Sequence, residues 1–152
     1  MGDLRYEALA TLEAAVALLT GANGAGRVFA GGTDLIVQME TDLIEFGLLV
    51  DIKKIAEVRQ VTVENGGFRV GAAVTGMELM QHAAFCKAWP GVIDGVKLIG
   101  FTQVKGRATI GGNVCNASPA ADSELTAVAA ASAAVCATTW LATDKRFLAC
   151  VI

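Results

Sequence analysis

The sequence predicts an α/β (α+β) fold divided into two small lobes, and three observations lead there. Strand and helix patterns alternate, most clearly where a strand, a glycine turn and a helix follow one another between Arg27 and Met39. Further on, Val61 and Val63 alternate with polar residues, Asn65-Gly66-Gly67 turns the chain, and Phe68 and Val70 return as an antiparallel hairpin. Between these regions the character changes at Lys53-Lys54, which divides the chain into a lobe of residues 1–54 and a larger one of residues 55–152. A chain of 152 residues buries roughly 70% of its unfolded surface, so it needs neither disulfides nor a structural metal to fold.

The elements follow in order. Thr11 caps a helix whose apolar stripe is Leu12, Ala15, Val16 and Leu19, and the glycine-rich stretch from Gly21 to Gly26 ends it. Arg27 to Ala30 forms a short strand, Gly31-Gly32 a tight turn, and Thr33-Asp34 a polar start to a helix carrying Leu35, Ile36 and Met39. Leu48 to Ile52 reads as a buried strand because its apolar residues are nearly continuous. In the second lobe, Thr75 and Glu78 are spaced as a capping box for a helix running to about Phe85. Pro90 occupies the first turn of another helix, which carries Val92, Val96 and Ile99 and stops at Gly100. From Thr102 to Asp122 glycine and small polar residues dominate, and the expectation is a long loop that holds something. Ser118-Pro119 then caps an alanine-rich helix that runs into a strand.

Composition excludes several classes. Apolar residues make up 54% and charged residues 18%, which rules out disorder. The mean hydropathy of +0.54 owes much to alanine. The uncharged stretch from Leu125 to Thr143 is long enough to span a bilayer, but its serines and threonines make it a poor candidate, so no membrane span is expected. Glu7 and Glu13 interrupt what would be the apolar region of a secretory signal, so none is visible, and the expected location is cytoplasmic. A net charge of −3 without a basic cluster argues against nucleic acid. Cys86, Cys115, Cys136 and Cys150 are too far apart for CxxC or zinc-finger spacing and read as reduced, mostly buried thiols. His82 reads as a surface or packing residue.

The candidate chemistry lies in two glycine segments, Ala30 to Leu35 and Thr109 to Ser118. Glycine pairs beside Thr, Ser and Asn let a backbone approach a ligand closely and present N–H groups and hydroxyls to phosphate oxygens. The first segment also opens a helix, whose N-terminus favours an anion. A glycine turn between strand and helix can equally be plain connection. Rossmann and P-loop fingerprints are absent, as is any Ser, His and Asp set, so if the protein does chemistry, a bound cofactor does it.

Ala30-Gly31-Gly32-Thr33-Asp34-Leu35, taken with the run from Ala108 through Thr109-Ile110-Gly111-Gly112-Asn113 to Asp122, resembles the FAD-binding domain of the medium, flavoprotein subunit of molybdenum hydroxylases. That family contains xanthine dehydrogenase, carbon monoxide dehydrogenase and 4-hydroxybenzoyl-CoA reductase. Leu49 to Ile52, Val70 to Thr75 and Gln103-Val104 match in order and approximate spacing, and the likeness covers roughly residues 4–135. The resemblance implies a two-lobed FAD domain of the p-cresol methylhydroxylase type, with FAD extended between the lobes. It implies that Ala30, Gly31, Gly32, Thr33, Asp34 and Leu35 wrap the pyrophosphate. Thr109, Gly111, Gly112 and Asn113 then fall at the pyrophosphate and ribityl chain, Asn116, Ser118 and Asp122 near the flavin, and Ile99 beside the isoalloxazine ring.

The implied function is electron transfer by an oxidoreductase subunit that does not act on substrate alone. A molybdopterin-containing large subunit oxidises the substrate, a 2Fe–2S small subunit relays electrons, and this subunit's FAD passes them to NAD+ or another acceptor. Lys105-Gly106 stands where the family usually has Arg-Asn, and Ala10 where a proline is common. The family continues into a C-terminal domain, so the chain reads as a truncated or diverged product. Two alternatives follow: a remnant without FAD that survives as a structural or interaction module, and another flavoenzyme of the same domain type, such as the reductase that makes UDP-N-acetylmuramate.

Overall fold

In the first sheet the chain is laid out in a computed structural model that describes residues 4–41, 46–64, 66–116 and 149–151. Strand β1 (Arg5–Ala8) leads into helix α1 (Leu12–Gly21), then β2 (Gly26–Phe29), helix α2 (Thr33–Glu40) and β3 (Leu48–Asp51). The strands pair in the order β1-β3-β2, all parallel, with Tyr6 opposite Leu49 and Val28 opposite Val50. All four residues of β3 are buried, as continuous apolar character in a central parallel strand requires. Helix α1 starts where Thr11 Oγ1 accepts a hydrogen bond from the Ala14 N–H, and Ala15 is its fully buried contact with the core. β1 has no counterpart in the sequence reading, because Arg5 and Glu7 break any apolar alternation in an exposed edge strand.

The first core continues past Lys54. Ile55 and Val58, the latter in a 3-10 turn at Ala56–Arg59, pack with Val50, Ile52 and Ala73. The hairpin follows as β4 (Val61–Glu64) and β5 (Gly67–Gly71), with Val61 opposite Val70, and β6 (Ala149–Val151) adds to the other edge of β5. Helices α3 (Gly76–Gln81), α4 (Ala83–Ala88) and α5 (Pro90–Leu98) cover this antiparallel sheet. Phe68, Val70, Leu79, Phe85, Val92, Val96 and Ile110 form the second core, and the Phe68 and Phe85 rings meet edge to face at 5.2 Å. Burying each such side chain contributes about 1.5–3 kcal/mol.

Two expectations need correction. The helix opened by Thr75 and Glu78 does not run through to Phe85; it breaks at His82, whose backbone is extended and whose Nδ1 accepts the Phe85 N–H at 3.1 Å to start α4. His82 thus caps a helix, and its ring packs edge to face on Phe68. Within the expected long loop, helices α6 (Thr102–Lys105) and α7 (Ile110–Asn116) are formed. Glycine disfavours helix by about 1 kcal/mol per residue, but Ile110 is buried in the second core and anchors α7 there. The alanine-rich helix after Ser118-Pro119 lies outside the described residues.

Candidate functional site

The first glycine segment is positioned by β2, which delivers the chain to Ala30 at the end of the parallel sheet. Gly31 is buried, and a Cβ there would overlap the Arg107 carbonyl oxygen and lie 3.1 Å from Ala108 Cα, so only glycine permits this approach. Gly32 has φ +76°, a left-handed conformation, and is the N-cap of α2 with no side chain bonded to the helix start. The first-turn N–H groups of Thr33, Asp34 and Leu35 therefore begin a helix that has no side-chain cap, the arrangement that suits an incoming anion.

Behind this turn sits a charged cluster. Lys53 Nζ contacts Asp51 Oδ2 at 2.8 Å, donates to Ala30 O at 3.2 Å, and lies 4.0 Å from the centre of the Phe29 ring. The Tyr6 hydroxyl donates to the same Asp51 oxygen, and the Lys53 backbone N–H to Asp51 Oδ1 at 2.8 Å. Burial alone would raise the Asp51 carboxyl, but these donors outweigh it and hold it below the ordinary carboxylate range. The same hydrogen bond, together with desolvation, pushes the Tyr6 hydroxyl up.

The second segment begins at the point Gly31 touches. Ala108 O accepts the Gly76 N–H at 2.8 Å, and Thr109 forms an isolated antiparallel bridge with Thr75. Thr109 is buried; its Oγ1 accepts the Gly112 N–H at 2.9 Å and its carbonyl the Asn113 N–H at 3.0 Å, so it caps α7. This corrects the expectation of an open loop presenting its N–H groups, since those of Gly112 and Asn113 are taken by Thr109. Gly111 backs onto Ala72, whose Cα a Cβ would approach to 3.0 Å. Asn116 Oδ1 accepts from Gln38 Nε2 at 2.7 Å, tying α7 to α2.

A cleft of about 390 Å³ opens where the two segments meet, and its wall includes Ala30, Gly31, Lys53, Arg107 and Thr109. Arg59 and Glu78 line it as well and form an ion pair. Burial would raise the Glu78 carboxyl, but the Thr75 N–H and hydroxyl, at 2.8 and 2.9 Å, and the Arg59 guanidinium bring it below its usual value. These bonds complete the capping box of α3.

Of the sequence-predicted residues, Ala30, Gly31 and Thr109 line the cleft. Gly32, Thr33, Asp34 and Leu35 form the adjoining start of α2, and Gly111, Gly112, Asn113 and Asn116 belong to α7. Ile99 is the half-buried C-cap of α5 and is not part of the cleft wall. Ser118 and Asp122 lie outside the described residues. Lys53, Arg59, Ala73, Met77 and Arg107 are wall residues that the sequence reading did not single out; Lys53 was visible only as a lobe boundary. Cys86 is half-buried, its thiol donating to Met80 O at 3.2 Å, whereas Cys115 is exposed, against the expected burial. Desolvation of the sulfur still pushes the Cys115 thiol up, which disfavours a reactive thiolate. Among the described residues no helix is long and apolar enough to cross a membrane.

The chain's likeness to known proteins agrees with this geometry. Residues 2–146 match the family described as the FAD binding domain in molybdopterin dehydrogenase. The xanthine dehydrogenase FAD-binding subunit of Escherichia coli is 34% identical over 119 residues, covering 78% of this chain and 40% of that protein. Caffeine dehydrogenase subunit beta of a Pseudomonas species is 30% identical over 126 residues, covering 83% of this chain and 43% of that protein. In structure, reconstituted CO dehydrogenase from Oligotropha carboxidovorans superimposes with a TM-score of 0.77 at 31% identity, over 80% of this chain and 43% of that one. The chain thus spans about two fifths of the length of the relatives it matches. With the family match running through both glycine segments and the cleft between them, the chain belongs to the FAD-binding domains of the molybdenum hydroxylase flavoprotein subunits, whose cofactor is FAD.

Proposed function

We propose that this chain serves as the FAD-holding, electron-transfer part of a cytoplasmic molybdenum hydroxylase. In that role it stands between a 2Fe–2S small subunit, itself fed by a molybdopterin-containing large subunit, and an acceptor that is NAD+ or another oxidant. The observation that carries this reading is the meeting of two glycine segments, more than 70 residues apart in sequence, across the contact of Gly31 with Arg107 and Ala108 at one cleft. The likeness to an FAD-binding subunit of xanthine dehydrogenase and to a subunit of caffeine dehydrogenase supports a role as one subunit of such an enzyme.

The residues fit a dinucleotide. The start of α2 has no side-chain cap, so the N–H groups at Thr33 to Leu35 suit phosphate oxygens, and Arg107 brings positive charge to the adjoining cleft. The pair Lys53 and Asp51 holds the carbonyl of Ala30 and so fixes the entry to the turn. In the reading argued from the family motif, Thr109, Gly111, Gly112 and Asn113 keep the second wall against the ribityl side, with Asn116 oriented by Gln38. Bound FAD supplies an isoalloxazine that accepts electrons singly from a cluster and releases them in pairs. The cleft draws on the chain on both sides of Lys54, with Ala30, Gly31 and Lys53 before it and Arg59, Ala73 and Thr109 after it.

A visible absorption spectrum of the purified chain, before and after addition of FAD and then dithionite, tests the reading. A protein-bound flavin band that survives gel filtration and bleaches on reduction is expected. A chain that emerges colourless after incubation with excess FAD would sink it.

A further inference from the structure

We propose that Arg107 is the phosphate-recognising cation of the cleft. The inference rests on the FAD reading above and adds to it a specific residue. Three cationic residues line the cleft: Lys53, Arg59 and Arg107. Two are already neutralised: Lys53 by Asp51, and Arg59 by Glu78. Arg107 is exposed, and its side chain has no hydrogen bond or ion pair among the described residues. Among the described residues, one uncompensated positive charge is therefore left at the junction of the two glycine segments.

The alternatives to Arg107 are weaker on physical grounds. Drawing the Lys53 ammonium toward a ligand would strand the carboxylate of Asp51, which is 4% exposed, without its cation. Releasing Arg59 would take the cationic partner from Glu78, whose carboxylate also completes the capping box of α3 with Thr75. Arg107 gives up nothing. Its backbone is also pinned, with its N–H donating to Val104 O at 2.9 Å and its carbonyl packed on Gly31, so a long side chain rises from a fixed base beside the turn. A guanidinium matches phosphate oxygens two at a time, which neither an ammonium nor a backbone N–H can do.

The test is FAD titration of the 152-residue chain, followed by flavin fluorescence, for wild type, Arg107→Ala, Arg107→Lys and Lys97→Ala. Because Gly31 meets the backbone of residue 107, the alanine variant keeps that packing and should melt with the wild type. At ~20 mM salt Arg107→Ala should bind FAD about tenfold more weakly, the loss of one charge-assisted contact. The lysine variant should fall between, and the gap to wild type should narrow at ~0.5 M salt, where a charge contact is screened. Lys97, paired with Asp94 on the exposed side of α5, controls for net charge, and its removal should change affinity less than about twofold. Equal affinity of Arg107→Ala and wild type at low salt overturns the assignment. So does a loss that is the same at both salt concentrations, because that would be structural. A wild-type chain that binds no FAD at either salt refutes the FAD reading itself, and the assignment falls with it.

Discussion

Replacing Gly31 by alanine isolates the contact on which the cleft depends. The added Cβ would lie 3.0 Å from the Arg107 carbonyl carbon and 3.1 Å from Ala108 Cα, and would overlap the carbonyl oxygen. Ordinary van der Waals contact begins at about 3.4 Å, so the two carbons alone require a separation of several tenths of an ångström and the oxygen requires more. All the obstructing atoms are backbone. No rotamer change relieves them, and the segment from Arg107 to Thr109 is further tied to Gly76 and Thr75. Overpacking of this kind costs about 1–3 kcal/mol. For a chain of this size that lowers the melting temperature by roughly 2–12 °C. The affinity for FAD should fall more than the stability does, by at least about tenfold, because moving the second segment away opens the cleft wall itself. Gly21→Ala is the matched control: no atom lies within 4 Å of its Cβ position at the end of α1, and alanine there should be neutral or slightly stabilising. Differential scanning calorimetry with and without FAD measures both effects. If Gly31→Ala melts and binds as Gly21→Ala does, the two glycine segments do not depend on this contact and the reasoning fails.

Three further outcomes follow from named contacts. Gln38→Ala removes the bond to Asn116 and should cost about 1 kcal/mol of stability with a larger proportional loss of flavin affinity, measured by urea unfolding and FAD titration. Thr109→Ala removes the cap of α7 and should destabilise by about 1 kcal/mol, while Thr109→Ser should recover most of it in the same melt. Asp51 has a folded-state pKa below its ordinary value, so its stabilisation is complete above the unfolded pKa of about 3.9 and is lost as pH falls through the lower folded value. The wild-type melting temperature should therefore drop more steeply below about pH 4 than that of Asp51→Asn, and parallel curves would show that the Lys53 and Tyr6 contacts contribute nothing.

Much of the fold was legible because its signals are local. Continuous apolar residues from Leu48 marked the central strand, the alternation around Val61 and Val70 marked the hairpin, and Thr75 with Glu78 marked a helix start that the structure forms. What was not legible depends on partners distant in sequence. β1 is held by its register against β3, which nothing between Arg5 and Ala8 announces. The break at His82 arises because an imidazole nitrogen caps α4, a role for which histidine is an uncommon signal. α7 overrides its two glycines because Ile110 reaches the second core and Thr109 caps the turn. The glycine segments were visible as motifs, whereas the charges around them were not. Arg59 finds Glu78 across nineteen residues, and Lys53 reaches Ala30 across twenty-three.

The cleft is held by both cores at once, and this explains why its residues are so committed to one another. From the parallel sheet come Ala30 and Gly31, with Lys53 locked on Asp51 behind them. From the second core comes Thr109, fixed by Ile110 on one side and by the bridge to Thr75 on the other. Ala73, buried in the first core although it follows β5, carries the chain from one core to the other, and it lines the cleft too. A ligand laid across this junction touches groups whose positions are set by two separate hydrophobic clusters. Rigid walls lower the entropy lost on binding, so the buried Asp51 network and the capped α7 should raise affinity without touching a ligand. Holding every other polar group in place also leaves few side chains free to answer a charge, and Arg107, projecting from a backbone pinned by Gly31, is the cation in that position.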